Sequence, residues 1–314
     1  MLLEIFLLFI GSLMLYFGAE GLVRGSVGIA FRMGISALVI GLTFVAFGTS
    51  SPELVVSLSA GAEGDSEIAL GNVIGSNICN VALILGVASL IKPIDVNLSY
   101  IRDDILIMIG FSVVMILFLT DGMIGRVEGV IFTAGIISYV FYSIYKSRKK
   151  RKTPEVLDAV PKKKSPMWKN IVFFLGGLGI LIYGARIFVA SAITIAEVIG
   201  VSKTVIGISV VAFGTSLPEL ATSAVASVKG ESDVSLGNVV GSNIFNILMI
   251  LGITGMIFPI PAIDVNYIDL GIMMFVTLII IPLSLHKGKL TRWNGLLLLS
   301  IYVSYIYYLY AQSV

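Results

Sequence analysis

The 314-residue chain is 57% hydrophobic and only 13% charged, with a formal net charge of +2. A soluble domain carries about twice that charged fraction, and an aqueous fold has no surface for so much Leu, Ile, Val and Phe. A single cysteine, Cys79, excludes a disulfide framework or thiolate cluster, and a single histidine, His286, leaves soft and borderline metals without their ligands.

Apolar runs long enough to cross a bilayer as helices, about 20 residues each, recur along the chain. Ten are predicted, at 2–23, 35–60, 67–91, 103–120, 127–145, 170–192, 202–228, 234–259, 266–285 and 293–312. The first has Glu4 where a signal peptide carries a basic residue, so it reads as a span and not a cleaved leader. Residues 146–169 form the substantial polar stretch and hold ten of the 21 Lys and Arg. The positive-inside rule places this linker in the cytoplasm and both termini outside. Arg24, Arg32, Lys92, Arg102, Lys229, Lys287, Lys289 and Arg292 then also fall inside, against Arg126, Arg186 and Lys203 outside.

The second span contains "VAFGTSSPELVVS" (45–57) and the seventh "VAFGTSLPELATS" (211–223), an offset of 166 residues. The same offset carries "LGNVIGSNICN" (70–80) onto "LGNVVGSNIFN" (236–246) without a gap. The expected fold is therefore an all-α membrane protein of ten transmembrane helices, built as two inverted five-helix repeats, 1–145 and 170–314. An odd number of spans per copy forces the opposite orientations, and inverted repeats of this kind build alternating-access transporters.

Within each motif a proline stands one residue before a glutamate. Pro52 cannot donate to the carbonyl of Gly48, and its ring opens the turn, leaving carbonyls around Ala46 to Gly48 in need of partners at membrane depth. Pro218 and Gly214 repeat this around Ala212. Thr49 and Glu53 share a helical face with Ser50 adjacent, and Ser76 and Asn80 are likewise one turn apart. The second copy offers Thr215, Ser216 and Glu219, then Ser242 and Asn246. Together they offer carboxylate, hydroxyl, amide and backbone oxygens, the donor set of a hard cation such as Ca²⁺. Two acids without a nearby base share protons or hold cations; a site of about −2 balances one Ca²⁺ or a few Na⁺. Protonated glutamates bonded to hydroxyls are the structural alternative.

Gly71 and Gly75 have the spacing that lets helices approach closely, and Asn72, Asn77, Asn238 and Asn243 read as interhelical hydrogen bonders. Glu20 and Arg186 are equivalent positions on the first and sixth spans, read as solvated helix ends with gating charges as the alternative. Tyr302, Tyr305, Tyr307, Tyr308 and Tyr310, with Trp168 and Trp293, suit an interfacial belt. Cys79 aligns with Phe245 and reads as a packing position. "KSRKKRK" (146–152) reads as a topology determinant, with anionic-lipid binding as the alternative.

"GTSSPE" and "GTSLPE", each followed by "GNVIGSN" or "GNVVGSN", resemble the alpha repeats of the cation/calcium exchanger superfamily, and in particular its prokaryotic sodium/calcium exchangers. The resemblance spans the whole chain. It implies antiport of Ca²⁺ against Na⁺ in the cell membrane by alternating access, with spans 1 and 6 sliding as a pair. It also implies the cation ligands: Ala46 (backbone), Thr49, Ser50, Glu53, Ser76 and Asn80, then Ala212 (backbone), Thr215, Ser216, Glu219, Ser242 and Asn246. Many such exchangers have an aspartate at the position of Asn80 or Asn246; here both are amides, leaving two acids in the cluster. Ca²⁺/H⁺ antiport through the same glutamates is the alternative function, and a passive channel would need a continuous polar lining. Neither enzymatic activity nor a cofactor is expected. The partners are calcium and sodium ions and the lipid bilayer, with no nucleic acid and no protein partner.

Overall fold

The computed structural model describes residues 1–150, 165–199, 212–262, 266–285 and 288–313. Part of the seventh predicted span, including Lys203, lies outside these residues, as do most of the basic linker, His286 and Lys287. Eleven helices are named below: α1 (Leu2–Met33), α2 (Ala37–Thr49), α3 (Ser51–Glu63), α4 (Glu67–Ile91), α5 (Leu98–Asp121), α6 (Arg126–Lys149), α7 (Met167–Val198), α8 (Leu217–Lys229), α9 (Ser232–Ile257), α10 (Tyr267–Leu285) and α11 (Arg292–Gln312). Eight of them are long and apolar enough to cross a membrane, and α2 with α3 makes a ninth span bent by 40°.

The bend has the cause the sequence suggests. α2 stops at Thr49, and α3 restarts at Ser51 with Pro52 in its first turn, where a missing N–H costs no helical bond. Pro218 has the same place in α8. Both restarted helices end at a left-handed glycine, Gly64 (φ 100°) and Gly230 (φ 78°), a backbone state that glycine adopts without strain.

Three departures from the sequence reading concern the helices. α1 and α7 each run 32 residues, well past the ends expected at 23 and 192. At 1.5 Å per residue that is about 48 Å, longer than the roughly 30 Å hydrocarbon core, so each is tilted or projects from it. α6 also continues through Lys149, into the stretch expected as linker. Among the described residues, single turns of π-helix interrupt three spans, at Gly41–Val45, Cys79–Ile84 and Asn246–Leu251. Such wide turns inside α-helices cluster at functional sites.

Burial separates a centre from a periphery. The transmembrane windows of α4 and α9 are 72% and 83% buried, whereas those of α1 and α7 are 22% and 28% buried. α4 and α9 anchor one apolar core with α5, α6, α10 and α11. A second core lies between α1, α2, α7 and α8. α1 and α7 meet backbone to backbone: a Cβ on Gly25 would stand 2.4 Å from the Phe174 nitrogen, and one on Gly177 2.4 Å from the Leu22 nitrogen.

Two short antiparallel ribbons tie the halves together. β1 (Ile94–Asp95) pairs with β4 (Lys289–Leu290), and β2 (Met123–Ile124) with β3 (Ile260–Pro261). Adding 166 to Ile94 and Ile124 gives Ile260 and Leu290, so the Ile94–Leu290 pairing recurs as Ile260–Ile124. The same rule governs the polar interior.

Candidate cation site

Glu53 and Glu219 are each 1% exposed, in the first turns of α3 and α8. A helix start directs free N–H groups and the positive end of its dipole at that turn, so a carboxylate there is stabilised by about 0.3–1 kcal/mol. Each glutamate's turn is held by an asparagine on the following helix. Asn72 Nδ2 donates to the Glu53 carbonyl at 3.2 Å and to Ser57 Oγ at 3.1 Å. Asn238 Nδ2 donates to the Glu219 carbonyl at 3.3 Å and to Ser223 Oγ at 3.0 Å.

The two halves meet around these turns. The Ser50 hydroxyl donates to Glu219 Oε1 at 3.3 Å, and the two carboxylates are close enough to repel one another. The Thr49 hydroxyl donates toward the Val45 carbonyl (3.1 Å) and Asn238 Oδ1 (3.2 Å), with Ser242 Oγ 3.5 Å away. Deeper along α4 and α9, Asn80 Nδ2 donates to Asn243 Oδ1 at 3.1 Å and Asn246 Nδ2 to Asn77 Oδ1 at 3.0 Å. Both bonds run between halves and are related by the 166-residue offset.

Each amide nitrogen of Asn80 and Asn246 thus has a partner, while the carbonyl oxygens of both have none. Twelve buried side-chain polar atoms among the described residues lack a hydrogen bond, and five belong to this cluster: Glu53 Oε2, Asn80 Oδ1, Ser216 Oγ, Glu219 Oε2 and Asn246 Oδ1. All five are oxygens. An unpartnered buried polar atom costs about 1–3 kcal/mol, more when charged, so a cation or ordered water seated among these five would be stabilised. Neither glutamate is in an ion pair among the described residues, whose three pairs join Lys146 to Asp103, Lys229 to Glu20 and Lys289 to Asp95. Among the described residues no group of three or more His, Cys, Asp or Glu gathers there either. Two acids among hydroxyl and amide oxygens suit a hard cation rather than a transition metal.

Thr49, Ser50, Glu53, Glu219 and Ser242 are thus brought together by direct contacts or electrostatic proximity. Asn80 and Asn246 are brought in through Asn243 and Asn77. Ser76 is buried on the same helix as Asn80, one turn before it. Ser216 is buried near the Cys79 thiol, and Thr215 is half-buried in the turn between α8 and the helical turn Ala212–Gly214. The Ala46 carbonyl departs from expectation: it accepts the Ser50 N–H at 2.9 Å and has the Thr49 hydroxyl 3.4 Å away, so it is not left without partners. In the other half, the Ser216 N–H turns instead to the Phe213 carbonyl at 3.1 Å.

Two lesser expectations change. Gly237 and Gly241 do permit close approach, since an added Cβ would meet the Leu38 and Leu42 carbonyls at 2.6 Å. Gly71 and Gly75 meet nothing within 4 Å among the described residues, and positions 204 and 208, equivalent to Leu38 and Leu42, lie outside these. Tyr307 and Trp293 are exposed as belt residues should be, but Tyr305 is buried and Tyr302 turns inward to Cys79.

Comparison with known proteins agrees with this geometry. The profile described as "Sodium/calcium exchanger protein" matches residues 3–145 and 169–311. CaxA of Alkalimonas amylolytica, named as an antiporter, is 37% identical over 320 residues, covering 99% of this chain and 100% of that one. The sodium/calcium exchanger MaX1 of Methanosarcina acetivorans is 31% identical, covering 97% of each. The solved structure of the sodium-calcium exchanger NCX_Mj, soaked with zero Na⁺ and Ca²⁺, superposes with a TM-score of 0.85 at 32% identity, covering 98% of this chain and 99% of that one. Buried acids without a basic partner among the described residues, on helices that restart at proline, therefore belong to a multi-pass cation antiporter, and the chain is a member of the sodium/calcium exchanger family.

Proposed function

We propose that this protein exchanges Na⁺ for Ca²⁺ across the cell membrane by alternating access. Ten spans form two oppositely oriented sets of five, 1–145 and 170–314, joined by the basic segment 146–169 on the cytoplasmic side. Glu53 and Glu219 coordinate Ca²⁺. Thr49, Ser50, Ser76 and Asn80, with Thr215, Ser216, Ser242 and Asn246, complete the Ca²⁺ shell and flanking Na⁺ sites, aided by the Ala46 and Ala212 carbonyls.

The observation that supports this reading is the set of five buried oxygens without partners around two acids that have no basic partner among the described residues. One Ca²⁺ neutralises both carboxylates and draws on 6–8 oxygens at roughly 2.3–2.6 Å. Na⁺ needs the same oxygens, so the two ions displace one another and only one load occupies the cluster at a time. That mutual exclusion is the chemical basis of exchange. It needs no covalent step, and the energy comes from the gradient of the driving ion.

Radiolabelled Ca²⁺ uptake into proteoliposomes tests the proposal, with outward Na⁺ or H⁺ gradients imposed in turn. Na⁺-driven uptake is expected, lost in both Glu53→Gln and Glu219→Gln. Uptake driven by the pH gradient alone would replace this reading with Ca²⁺/H⁺ antiport through the same acids.

A further inference from the structure

The offset rule that pairs the ribbons and the asparagines also fails away from the acids, between α1 and α8. Glu20 on α1 forms an ion pair with Lys229 at the end of α8, Nζ to Oε1 2.6 Å. Adding 166 to Glu20 gives Arg186 on α7, and subtracting it from Lys229 gives Glu63 at the end of α3. Both members of the pair change sign, so the attraction would be preserved. Yet Arg186 and Glu63 are exposed, and among the described residues they form no ion pair.

Packing shows the same asymmetry. α1 lies along α8 over a broad contact, whereas its counterpart α7 barely touches α3. By the proposed topology, Glu20 and Lys229 face the cytoplasm, and Arg186 and Glu63 face outside. Among the described residues, α1 and α8 are thus joined at the cytoplasmic end, while α7 and α3 stand apart at the outer end.

We propose that Glu20–Lys229 and Arg186–Glu63 are alternating latches: the first holds the outward-open state seen here, and the second forms when α1 and α7 move together to the inward-open state. The four side chains are positioning residues; they touch no transported ion. This proposal rests on the alternating-access topology but not on which cation drives exchange. An exposed pair shifts a two-state equilibrium by no more than about fivefold. A weak latch suits a transporter, because each pair must break once per cycle.

Two measurements test it. Glu20→Cys with Lys229→Cys, and Arg186→Cys with Glu63→Cys, are made in a Cys79→Ala background and treated with a short, reducible bis-methanethiosulfonate linker. The first pair should link in resting protein and block transport until reduced. The second should link only while the protein is cycling, and not at all in protein already locked at 20 and 229. Linking at both places in one molecule, or no linking of the second pair during intact transport, would overturn the proposal. Linkage is read by gel mobility, so a failure of sodium coupling in the uptake assay leaves this result standing.

Charge reversal supplies the second measurement. Lys229→Glu should weaken, and Arg186→Glu strengthen, apparent Ca²⁺ affinity from the outside, by roughly two- to fivefold each. Glu20→Lys combined with Lys229→Glu should return it to the wild-type value. Shifts in the same direction, or no rescue by the swapped pair, would refute the latch.

Discussion

Replacing Glu219 by Gln should make the ion-free protein more stable and the Ca²⁺-loaded protein less stable. The carboxylate is 1% exposed, accepts the Ser50 hydroxyl at 3.3 Å through Oε1, and has no partner at Oε2. An acid at the centre of a membrane helix costs roughly 2.5–3.5 kcal/mol on insertion scales. The helix start returns about 0.3–1 kcal/mol of that. The nearby Glu53 charge adds to the cost. Removing the charge should thus gain about 2 kcal/mol without ions, a rise of several degrees in melting temperature. Calcium reverses the order. At a hundredfold excess over its Kd a ligand stabilises the wild type by about 2.7 kcal/mol, and the Gln variant should lose most of this. Thermal unfolding in detergent, with chelator and then with excess Ca²⁺, reads both numbers. A variant less stable than wild type under chelation, yet with an unchanged Ca²⁺ shift, would refute the reasoning and make Glu219 a hydrogen-bonded structural acid.

Three further outcomes are expected. Gly25→Ala puts a Cβ 2.4 Å from the Phe174 nitrogen and 2.7 Å from the Asn170 carbonyl, so α1 and α7 must separate; a loss of about 1–3 kcal/mol should appear in thermal unfolding. Gly176→Ala, on α7, the other helix of this pair, but with nothing within 4 Å among the described residues, should be neutral or stabilising by up to ~1 kcal/mol. Asn80→Asp replaces the donor to Asn243 with a third carboxylate. Ca²⁺ affinity should rise at neutral pH and fall more steeply than in wild type as pH drops, because the added acid must lose its proton to bind; Ca²⁺-dependent melting shifts across the acid range check this.

The parts of this structure legible in the sequence are those set by local chemistry. Apolar length marks a span, and Pro52 beside Glu53 marks a helix restart that places an acid in a first turn. The repeated motif exposes the second acid at once. The π turns at Gly41–Val45, Cys79–Ile84 and Asn246–Leu251 leave no such mark, because one extra residue in a turn changes neither composition nor hydropathy. The ribbons are two residues each, too short for alternation to register. Asn77 and Asn243 were expected to bond between helices, but their partners, Asn246 and Asn80, are fixed by how α4 crosses α9. The α1–α7 seam was readable and missed: Gly11, Gly18 and Gly25 are seven apart, as are Gly177 and Gly184, which is two helical turns on one face.

The interior and the periphery divide the work of transport between them. Around the acids, contacts recur in both halves: Asn72 on Glu53 as Asn238 on Glu219, and Asn80 to Asn243 as Asn246 to Asn77. A site built this way presents much the same oxygens when the halves exchange roles. A ligand that binds two states equally shifts neither, however tightly it binds. Ion occupancy at a symmetric cluster can therefore lower the barrier between states, by neutralising buried charge, without choosing one of them. The choice must come from contacts that differ between states. In this structure they include the Ser50–Glu219 bond, which Ser216 does not repeat, and the rim, where Glu20 holds Lys229 while Arg186 and Glu63 stand apart. A transporter so arranged keeps its affinity for cargo similar from both sides, and small changes in surface charge set which side is open.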